Sequence, residues 1–298
     1  MCRGCAGNKT GEQGKQRVKA VCFLSMDDLT GYVSDDELAV APLAELDIRV
    51  ETVPWRQRMR EWSEFDAVVI RTTWDYQRSP VEFLDVLAEI EAATRLLNSR
   101  KVVEWNFDKI YLRELRDSGV DIVSTLFETQ YSQANFARWL DELDAPELIV
   151  KPRVSATAEH TFRLREFDAS LESIFAERPF LVQPFLDEIV RTGEYSLFYF
   201  DGEFSHAILK EPKTHDFRVQ EEHGGIISAV EATDAMRNAA AKALSVIPEK
   251  LLYARVDLVP SASSGFQLME LELIEPALYF RMEEHAAKRF AEAVARSI

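Results

Sequence analysis

Positive charge is scarce in this sequence of 298 residues, in which 35 lysines and arginines face 51 aspartates and glutamates, for a formal net charge of −16. Proteins that bind along nucleic acid or an anionic membrane need clustered Lys and Arg. The balance excludes a broad surface of that kind, so we expect no nucleic-acid and no membrane partner. An anionic ligand must instead meet a local group of basic side chains.

Long apolar runs and cysteines are also few. No stretch approaches the ~20 apolar residues of a membrane span, and residues 1–17 lack the apolar segment of a signal peptide. Among the three cysteines, Cys2 and Cys5 form a CxxC pair with no second ligand pair downstream, which favours a mobile polar tail over a metal site. We therefore expect a cytoplasmic protein.

Several catalytic motifs are absent. The sequence has no G-x-x-x-x-G-K-[ST] phosphate loop, no G-x-S-x-G motif and no H-E-x-x-H pair among its five histidines. These absences count against hydrolases and P-loop enzymes.

The first part of the chain alternates strand and helix patterns. Apolar runs at 18–24, 48–53 and 66–71 are separated by helical patterns at 35–46 and 79–93. This alternation predicts a parallel sheet flanked by helices.

The remainder predicts a different architecture. A helix at 108–118 precedes strands at 122–127 and 148–151, which we interpret as a small inserted domain. Further on, strands at 194–200 and 203–210 flank Asp201 and Gly202, the signal of a hairpin with a type I′ turn. Strands at 251–259 and 265–274 follow, so the last domain is predicted to contain an antiparallel sheet.

Three acidic residues carry the clearest chemical signal. Glu270 and Glu272 point to the same face of one predicted strand, and Asp257 lies on the neighbouring strand. Three ionised carboxylates need a cation, and oxygen ligands suit Mg²⁺ or Mn²⁺. The alternative is the solvated face of a half-buried sheet, although the flanking leucines indicate burial.

The basic candidates for an anion site are Lys109, Lys151, Lys210, Lys213 and Arg218. Lys151 ends an apolar strand, where α/β proteins form ligand sites, but it could also be an edge lysine. Lys109 lies in the first turn of the predicted helix, an unfavourable place for a cation unless an anion or an acid such as Asp108 offsets the dipole.

Two aromatic segments also have two interpretations. The run from Gln183 through Pro184 and Phe185 to Leu186 could pair its backbone with an adenine edge or form an interdomain hinge. The stretch from Arg71 to Tyr76 could form the mouth of a substrate pocket or cap the core.

Read in order, several segments resemble the ATP-grasp superfamily over about residues 18–298. They are Asp108-Lys109, Ile149-Val150-Lys151-Pro152, Gln183-Pro184-Phe185, Gly193-Glu194-Tyr195-Ser196, Asp216-Phe217-Arg218-Val219-Gln220 and Met269-Glu270-Leu271-Glu272. Within the superfamily the chain is similar to the bacterial glutathione synthetase and RimK-like ligase branch, and 269–279 also resembles cycloserine-forming members.

The resemblance implies a mixed α/β and α+β fold. A tail at 1–17 would precede a parallel-sheet pre-grasp domain at 18–107, a lid domain at 108–185 and an antiparallel-sheet catalytic domain at 186–298. ATP would be clamped between the last two.

The resemblance also implies residue roles around ATP, Mg²⁺ or Mn²⁺, and the substrates. ATP would be bound by Lys109 and Lys151 at the phosphates, by Gln183, Pro184, Phe185 and Leu186 at adenine, by Glu188 at ribose and by Glu194. Lys210 and Arg218 would be catalytic, Asp257, Glu270 and Glu272 would bind metal, and Arg71, Asp75 and Gln220 would bind the substrates.

Two features depart from the family pattern. The lid loop at 155–161 lacks the usual glycines, which leaves the hydroxyls of Ser155 and Thr157 to cover the phosphates, and Glu272 replaces the usual metal-binding Asn.

The resulting prediction is an ATP- and Mg²⁺-dependent ligase that joins small carboxylate and amine substrates, amino-acid-like or peptide-like, through an acyl phosphate. The alternatives are a cycloserine-type enzyme that closes a ring within one substrate, a small-molecule kinase and a non-catalytic ATP-binding module. Whether the chain forms a homo-oligomer is left open.

Overall fold

The structure, a computed structural model, describes residues 17–57, 59–155, 158–214, 216–262 and 264–298. Residues 1–16 of the predicted tail, including Cys2 and Cys5, lie outside this part of the chain. Among the helices within these ranges, none is long and apolar enough to cross a membrane. The described residues form three β-sheets, here named sheets I, II and III in chain order, which organise the fold.

Sheet I is parallel, with the strand order β2-β1-β3-β4. Its strands are β1 (Lys19–Ser25), β2 (Ile48–Pro54), β3 (Ala67–Thr72) and β4 (Arg95–Leu97). The helices that connect and follow them are α1 (Val40–Glu45), α2 (Pro80–Ala93), α3 (Arg100–Asn106) and α4 (Tyr111–Asp117). β3 is buried along its whole length, as expected for a parallel strand covered on both faces.

Sheet II is antiparallel, with the order β5-β8-β6-β7. Its strands are β5 (Leu126–Glu128), β6 (Leu148–Pro152), β7 (Phe162–Leu164) and β8 (Phe180–Pro184). Its helices are α5 (Gln133–Glu142) and α6 (Glu172–Phe175), and α7 (Asp187–Arg191) follows β8. An aromatic core of Tyr131, Trp139, Phe175 and Phe180 holds this unit together.

Sheet III is antiparallel, with the order β11-β10-β9-β12-β13. Its strands are β9 (Glu194–Phe200), β10 (Glu203–Glu211), β11 (Ile226–Val230), β12 (Tyr253–Ser261) and β13 (Gly265–Glu272). Two helices, α8 (Asp234–Leu244) and α9 (Ala286–Ser297), complete the chain.

The parallel first sheet and the antiparallel last sheet confirm the predicted fold class. Asp201 and Gly202 join β9 to β10 with φ angles of 52° and 82°, the left-handed conformation that a type I′ turn requires. Glycine at the second position adopts this positive φ without the backbone strain that a residue with a Cβ would have.

The predicted helix at 108–118 was wrong at its start, because α4 begins only at Tyr111. The Asp108 carboxylate binds the Arg153 guanidinium at 2.6 and 2.7 Å, and the backbone N–H of Lys109 donates to the Arg153 carbonyl at 3.0 Å. Asp108 and Lys109 thus contact the residue that follows β6. Lys109 precedes the helix rather than lying in its first turn.

The predicted strand at 122–127 was also too long. Only Leu126–Glu128 pairs as a strand, and Ile122 forms an isolated bridge with Leu268. Several elements have no counterpart in the sequence patterns, and most are short: β4, β7, β11, α3, α5, α6 and α7. The strands β4 and β7 have only three residues each, which is too short for an alternation pattern to identify them.

The main core lies where sheet I meets sheet III, with α9 packed between them. Phe290 of α9 contacts Phe23 of β1 at a ring-centroid distance of 6.2 Å and Phe200 of β9 at 5.4 Å. All three side chains are at least 98% buried. The last helix therefore fixes the first sheet against the last one by hydrophobic packing.

Buried polar side chains cover the outer edge of β13, the last strand of sheet III. The Asn106 amide accepts from the Leu273 N–H at 2.9 Å and donates to the Leu271 carbonyl at 2.8 Å. The Tyr111 hydroxyl accepts from the Leu271 N–H at 3.0 Å, and the Asn98 amide donates to the Leu273 carbonyl at 2.7 Å. An edge strand offers unpaired backbone groups, and here side chains from the segment before sheet II satisfy them.

We predict that Asn106→Leu lowers the free energy of unfolding by about 1–3 kcal/mol, because the buried Leu273 N–H loses its acceptor. Urea denaturation followed by circular dichroism measures the change. The matched control is Asn238→Leu on the exposed face of α8, which should change stability by less than about 0.5 kcal/mol. Equal effects at the two positions would contradict a special role for the Asn106 bonds.

Candidate active site

A cavity of about 200 Å³ lies between sheets II and III. Most of the predicted site residues line it: Lys109, Lys151, Gln183, Pro184, Phe185, Leu186, Glu194, Lys210, Arg218, Gln220, Glu270 and Glu272. Residues that are far apart in sequence therefore converge on one space.

Glu270 lies between two of the predicted phosphate-binding lysines. Its carboxylate is 3.0 Å from the Lys109 Nζ and 3.9 Å from the Lys151 Nζ. Lys109 also donates to the Ser155 carbonyl at 2.7 Å. β13 thus supplies the acid, and sheet II with the segment before α4 supplies the cations.

Burial and charge oppose each other at this contact. Burial lowers the pKa of Lys151, and the nearby Glu270 carboxylate counteracts that effect. For Glu270, burial alone would raise the pKa, but the charges of Lys109 and Lys151 outweigh it and hold the pKa below its ordinary value. Glu270 therefore stays ionised and helps to keep the lysines charged.

Asp257 lies beneath the cavity and is 2% exposed. It is 3.4 Å from the Lys210 Nζ and accepts from the Ser196 hydroxyl. Lys210 in turn forms a salt bridge with Glu194. Burial favours the neutral form of Lys210, but the charges of Asp257 and Glu194 outweigh it and raise the pKa of Lys210.

Arg255 is a site residue that the sequence analysis missed. It lies two residues before Asp257 on β12, so both side chains point to the same face. Its guanidinium bonds to Asp257 at 2.9 Å and to Glu272, and it lines the cavity. The shared face with Asp257 is the sequence signal that could have identified it.

Glu272 and Glu275 form the acidic end of the cavity. Burial raises the pKa of Glu272 to about 7, against the opposing charge of Arg255. Burial also raises the pKa of Glu275 to about 8, and the negative charge of Glu272 adds to this effect. At neutral pH, a larger fraction of both carboxyl groups is therefore protonated than in a solvent-exposed glutamate.

The predicted adenine segment also lines the cavity. The Phe185 N–H already donates to the Glu147 carbonyl at 2.8 Å, so it is not a free donor for a base. The buried Gln183 side chain donates to the Thr125 hydroxyl at 2.9 Å. The Arg163 guanidinium lies 3.5 Å from the centroid of the Phe185 ring and holds this ring in place.

The loop before β11 brings two predicted residues to the cavity. Arg218 forms a two-pronged salt bridge with Asp216, at 3.1 and 2.9 Å. The buried Oε1 of Gln220 has no hydrogen-bond partner among the described residues, which leaves it available to a ligand. A Cβ on Gly225 would lie 2.0 Å from the Val219 carbonyl oxygen, so this close approach requires glycine.

Four predicted residues do not line the cavity: Asp257, which lies beneath it, and Arg71, Asp75 and Glu188. Arg71 is 1% exposed and binds Asp36 at 2.8 Å inside the core, because β3 buries it under Tyr253. Asp75 binds the Trp55 indole at 2.8 Å and also Arg56. Glu188 lies on α7, outside the lining. Substrate contacts by Arg71 and Asp75 are not supported by this geometry.

Other lining residues were not assigned to the site from sequence, or were named only as one of two alternatives. They include Trp74, Tyr76, Phe107, Phe217, Glu275 and Tyr279. Trp74 and Tyr76 are 7% and 6% exposed, so they belong to the core and also line the cavity. Burial of these rings agrees with the interpretation that they cap the core, and the mouth of a substrate pocket stays a prediction.

The lid loop lies partly outside the described residues, which omit Ala156 and Thr157. The predicted contact of the Thr157 hydroxyl stays untested. Ser155, Ala158 and Thr161 line the cavity, so the loop does border it.

The predicted metal ligands occur in pairs with cations. In the described ranges, no group of three His, Cys, Asp or Glu residues is arranged to hold a metal ion. In the strand register, however, Asp257 is the direct partner of Glu270, and Arg255 is the partner of Glu272. These carboxylate oxygens suit a hard cation such as Mg²⁺, and in the structure they form ion pairs with Lys and Arg side chains.

Comparison with known proteins gives a consistent result. A family model described as the N-terminal domain of the D-cycloserine synthetase DcsG matches residues 21–98. The cycloserine biosynthesis protein DcsG of Streptomyces lavendulae is 31% identical over 277 residues, which cover 84% of this chain and 89% of that protein. A glutathione synthetase of Mesorhizobium japonicum is 27% identical over 186 residues, which cover 60% of this chain and 57% of that protein.

Solved structures show the same similarity. The crystal structure of D-cycloserine synthetase DcsG matches with a TM-score of 0.77 and 27% identity, over 93% of this chain and 99% of that one. The D-alanine–D-alanine ligase of Bacillus anthracis, complexed with ATP, matches with a TM-score of 0.68 and 14% identity, over 94% and 97% of the two chains. The second match concerns the fold.

The raised pKa of Glu275 predicts a pH-dependent stability. A folded-state pKa of about 8 against an ordinary 4.5 favours the protonated form, so the stability is fully present below about pH 4.5 and is lost as the pH rises through about 8. We expect Glu275→Gln to be more stable than the wild type at pH 8.5 and less different from it at pH ~5. Thermal unfolding at the two pH values measures this difference.

The control for this measurement is Glu284→Gln, at an exposed position before α9. Its melting temperature should follow that of the wild type at both pH values. If the melting temperature of Glu275→Gln changes with pH just as that of the wild type does, ionisation of Glu275 does not destabilise the folded protein, and the prediction is wrong.

Proposed function

This chain belongs to the ATP-grasp family of the cycloserine biosynthesis protein DcsG, and from that premise we propose that it is an ATP-dependent ligase that joins a carboxylate to an amine. The observation that supports the ligase function most directly is that four basic side chains line one cavity: Lys109, Lys151, Lys210 and Arg255. A chain with a net charge of −16 gathers its basic side chains where a polyphosphate needs them.

The proposed roles follow from position in the cavity. Lys109 and Lys151 neutralise the ATP phosphates, and the segment from Gln183 to Leu186 faces the base. Arg218 and Gln220, on the loop before β11, contact the transferred phosphate or the substrate. We do not assign Glu188 to ribose, since it lies outside the cavity lining.

The carboxylates Asp257, Glu270 and Glu272 would hold Mg²⁺. Their oxygens fit this ion, and Glu272 replaces the family's Asn without loss of an oxygen donor. When bound, the ion supplies charge neutralisation at the phosphates. ATP and Mg²⁺ are the general kind of cofactor in this family, and Mn²⁺ has the same ligand preference.

The reaction has two steps. A substrate carboxylate oxygen attacks the γ-phosphorus, and ADP leaves. The amine nitrogen then attacks the acyl carbon, phosphate leaves and the nitrogen loses a proton. Arg255 and Lys210, held in place by Asp257, would stabilise the negative charge on the moving oxygens, so no protein nucleophile is required.

A second candidate is ring closure within one substrate. The 31% identity to the cycloserine biosynthesis protein, over 89% of its length, favours it. Ring closure uses the same chemistry and the same residues as ligation between two molecules. It differs only in that the amine and the carboxylate belong to one substrate molecule. A kinase would stop at the phosphorylated product, and a binding module would release no ADP.

Three further predictions keep the form that the sequence suggests. We propose a pre-grasp domain at 18–107, a lid domain at 108–185 and a catalytic domain at 186–298, because each range contains one of the three sheets. Small-molecule carboxylates and amines are the proposed partners. The cytoplasmic location remains a prediction, and the oligomeric state is left open.

We expect Glu270→Gln to reduce ADP release by about 10- to 100-fold in a panel of amino acids and small carboxylates with Mg²⁺. The same change frees Lys109 and Lys151 from their carboxylate, so AMP-PNP should bind at least as well without Mg²⁺ and gain less affinity when Mg²⁺ is added. Calorimetry measures binding, and mass spectrometry distinguishes an amide, a ring or a phosphorylated product.

The control is Glu284→Gln, which should keep both activity and Mg²⁺-dependent binding. Unchanged turnover in Glu270→Gln would exclude its metal role. Absence of ADP with every substrate, together with tight AMP-PNP binding by the wild type, would favour the binding module.

A further inference from the structure

One carboxylate in the cavity, that of Glu275, has no role in the proposed binding of ATP and Mg²⁺. Glu275 lines the cavity three residues after Glu272, beyond the end of β13. Among the described residues, no salt bridge links it to a lysine, arginine or histidine. Lys109 and Arg255 influence it only as more distant charges.

The surroundings of Glu275 are aromatic. The Trp74 indole N–H donates to the Glu275 carbonyl at 2.9 Å, which places this ring beside the segment. Tyr76 faces the Glu275 side chain, and its ring lies 5.1 Å from that of Phe107. We call Trp74, Tyr76 and Phe107 the aromatic wall, and all three rings line the cavity.

This combination is costly without a ligand. A carboxylate against aromatic rings loses hydration, which is why burial raises its pKa and why the pKa of Tyr76 also rises. A cation would offset both effects, because it would pair with the carboxylate and would also be attracted to the faces of the rings.

The charges next to this position define an orientation. Glu272 is bonded to Arg255, and Glu270 is bonded to Lys109, so the cations lie on the β12 and β13 side of Glu275. A ligand with a positive end at Glu275 and a negative end toward Arg255 would match both. A zwitterionic amino compound has this pattern of charge.

We propose that Glu275, with the Tyr76 hydroxyl and the aromatic wall, binds the primary ammonium group of an amino-acid-like substrate. This inference rests on the proposed ligase function and adds to it the residues that recognise the amine end of the substrate. Glu275 is then a specificity-determining residue, which selects a charged amine over a neutral or anionic group of equal size and places the substrate carboxylate toward the phosphate end.

The test uses three small probes of similar shape: n-propylammonium, 1-propanol and propionate. Each is titrated by ligand-observed NMR into the full-length protein with Mg²⁺ and AMP-PNP. We expect the wild type to bind n-propylammonium and to bind 1-propanol and propionate at least tenfold more weakly. In Glu275→Gln, n-propylammonium affinity should fall by about 10- to 100-fold.

Two further variants separate binding from structure. Glu275→Asp keeps the charge and should retain part of the ammonium affinity. Glu222→Gln changes another carboxylate of the same cavity and should retain all of it. Equal binding of n-propylammonium and 1-propanol, unaltered affinity in Glu275→Gln, or no ammonium binding to the wild type would each overturn the proposal.

AMP-PNP binding reports separately on the proposed function. If the wild type and Glu275→Gln bind AMP-PNP equally, the nucleotide site is intact and any loss of amine binding belongs to Glu275. If the wild type does not bind AMP-PNP at all, the ligase function fails, whatever the probes show.

Discussion

The ion pairs inside the cavity are the constraint on which the site depends. Each buried cation is held by a carboxylate: Lys109 and Lys151 by Glu270, Lys210 by Glu194 and Asp257, and Arg255 by Asp257 and Glu272. The partly exposed Arg218 is held by Asp216 in the same way. Burial alone would favour neutral lysines. The acids therefore keep the cations charged, and phosphates and Mg²⁺ would exchange with these partners, so that phosphate meets Lys and Arg while the metal meets the carboxylates.

Strand periodicity and motif order predicted the sheets, the hairpin and a set of site residues most of which line the cavity. These features depend on which face a residue takes and on where a strand ends, and both can be read from the sequence. The roles of the individual residues are still proposals, because the contacts in this state are with other protein side chains.

The residues that sequence reasoning misplaced depend on tertiary packing. Arg71 ends an apolar strand, just as Lys151 does, but α9 and Tyr253 cover it while Lys151 faces the cavity. No local pattern distinguishes these two strand ends. Likewise, Asn98 and Asn106 look like ordinary polar residues around a short helix, and only the position of β13 shows what they bind.

The side chains along the outer edge of β13 also bear on how this protein can vary. Because Asn98, Asn106 and Tyr111 fix the strand from outside, its alignment does not rely on the connection from β12 alone. Insertions or deletions in that connection should therefore be tolerated, because a shift of the strand register would break several buried hydrogen bonds at once. Homologues can thus differ in length there and still place their acids identically.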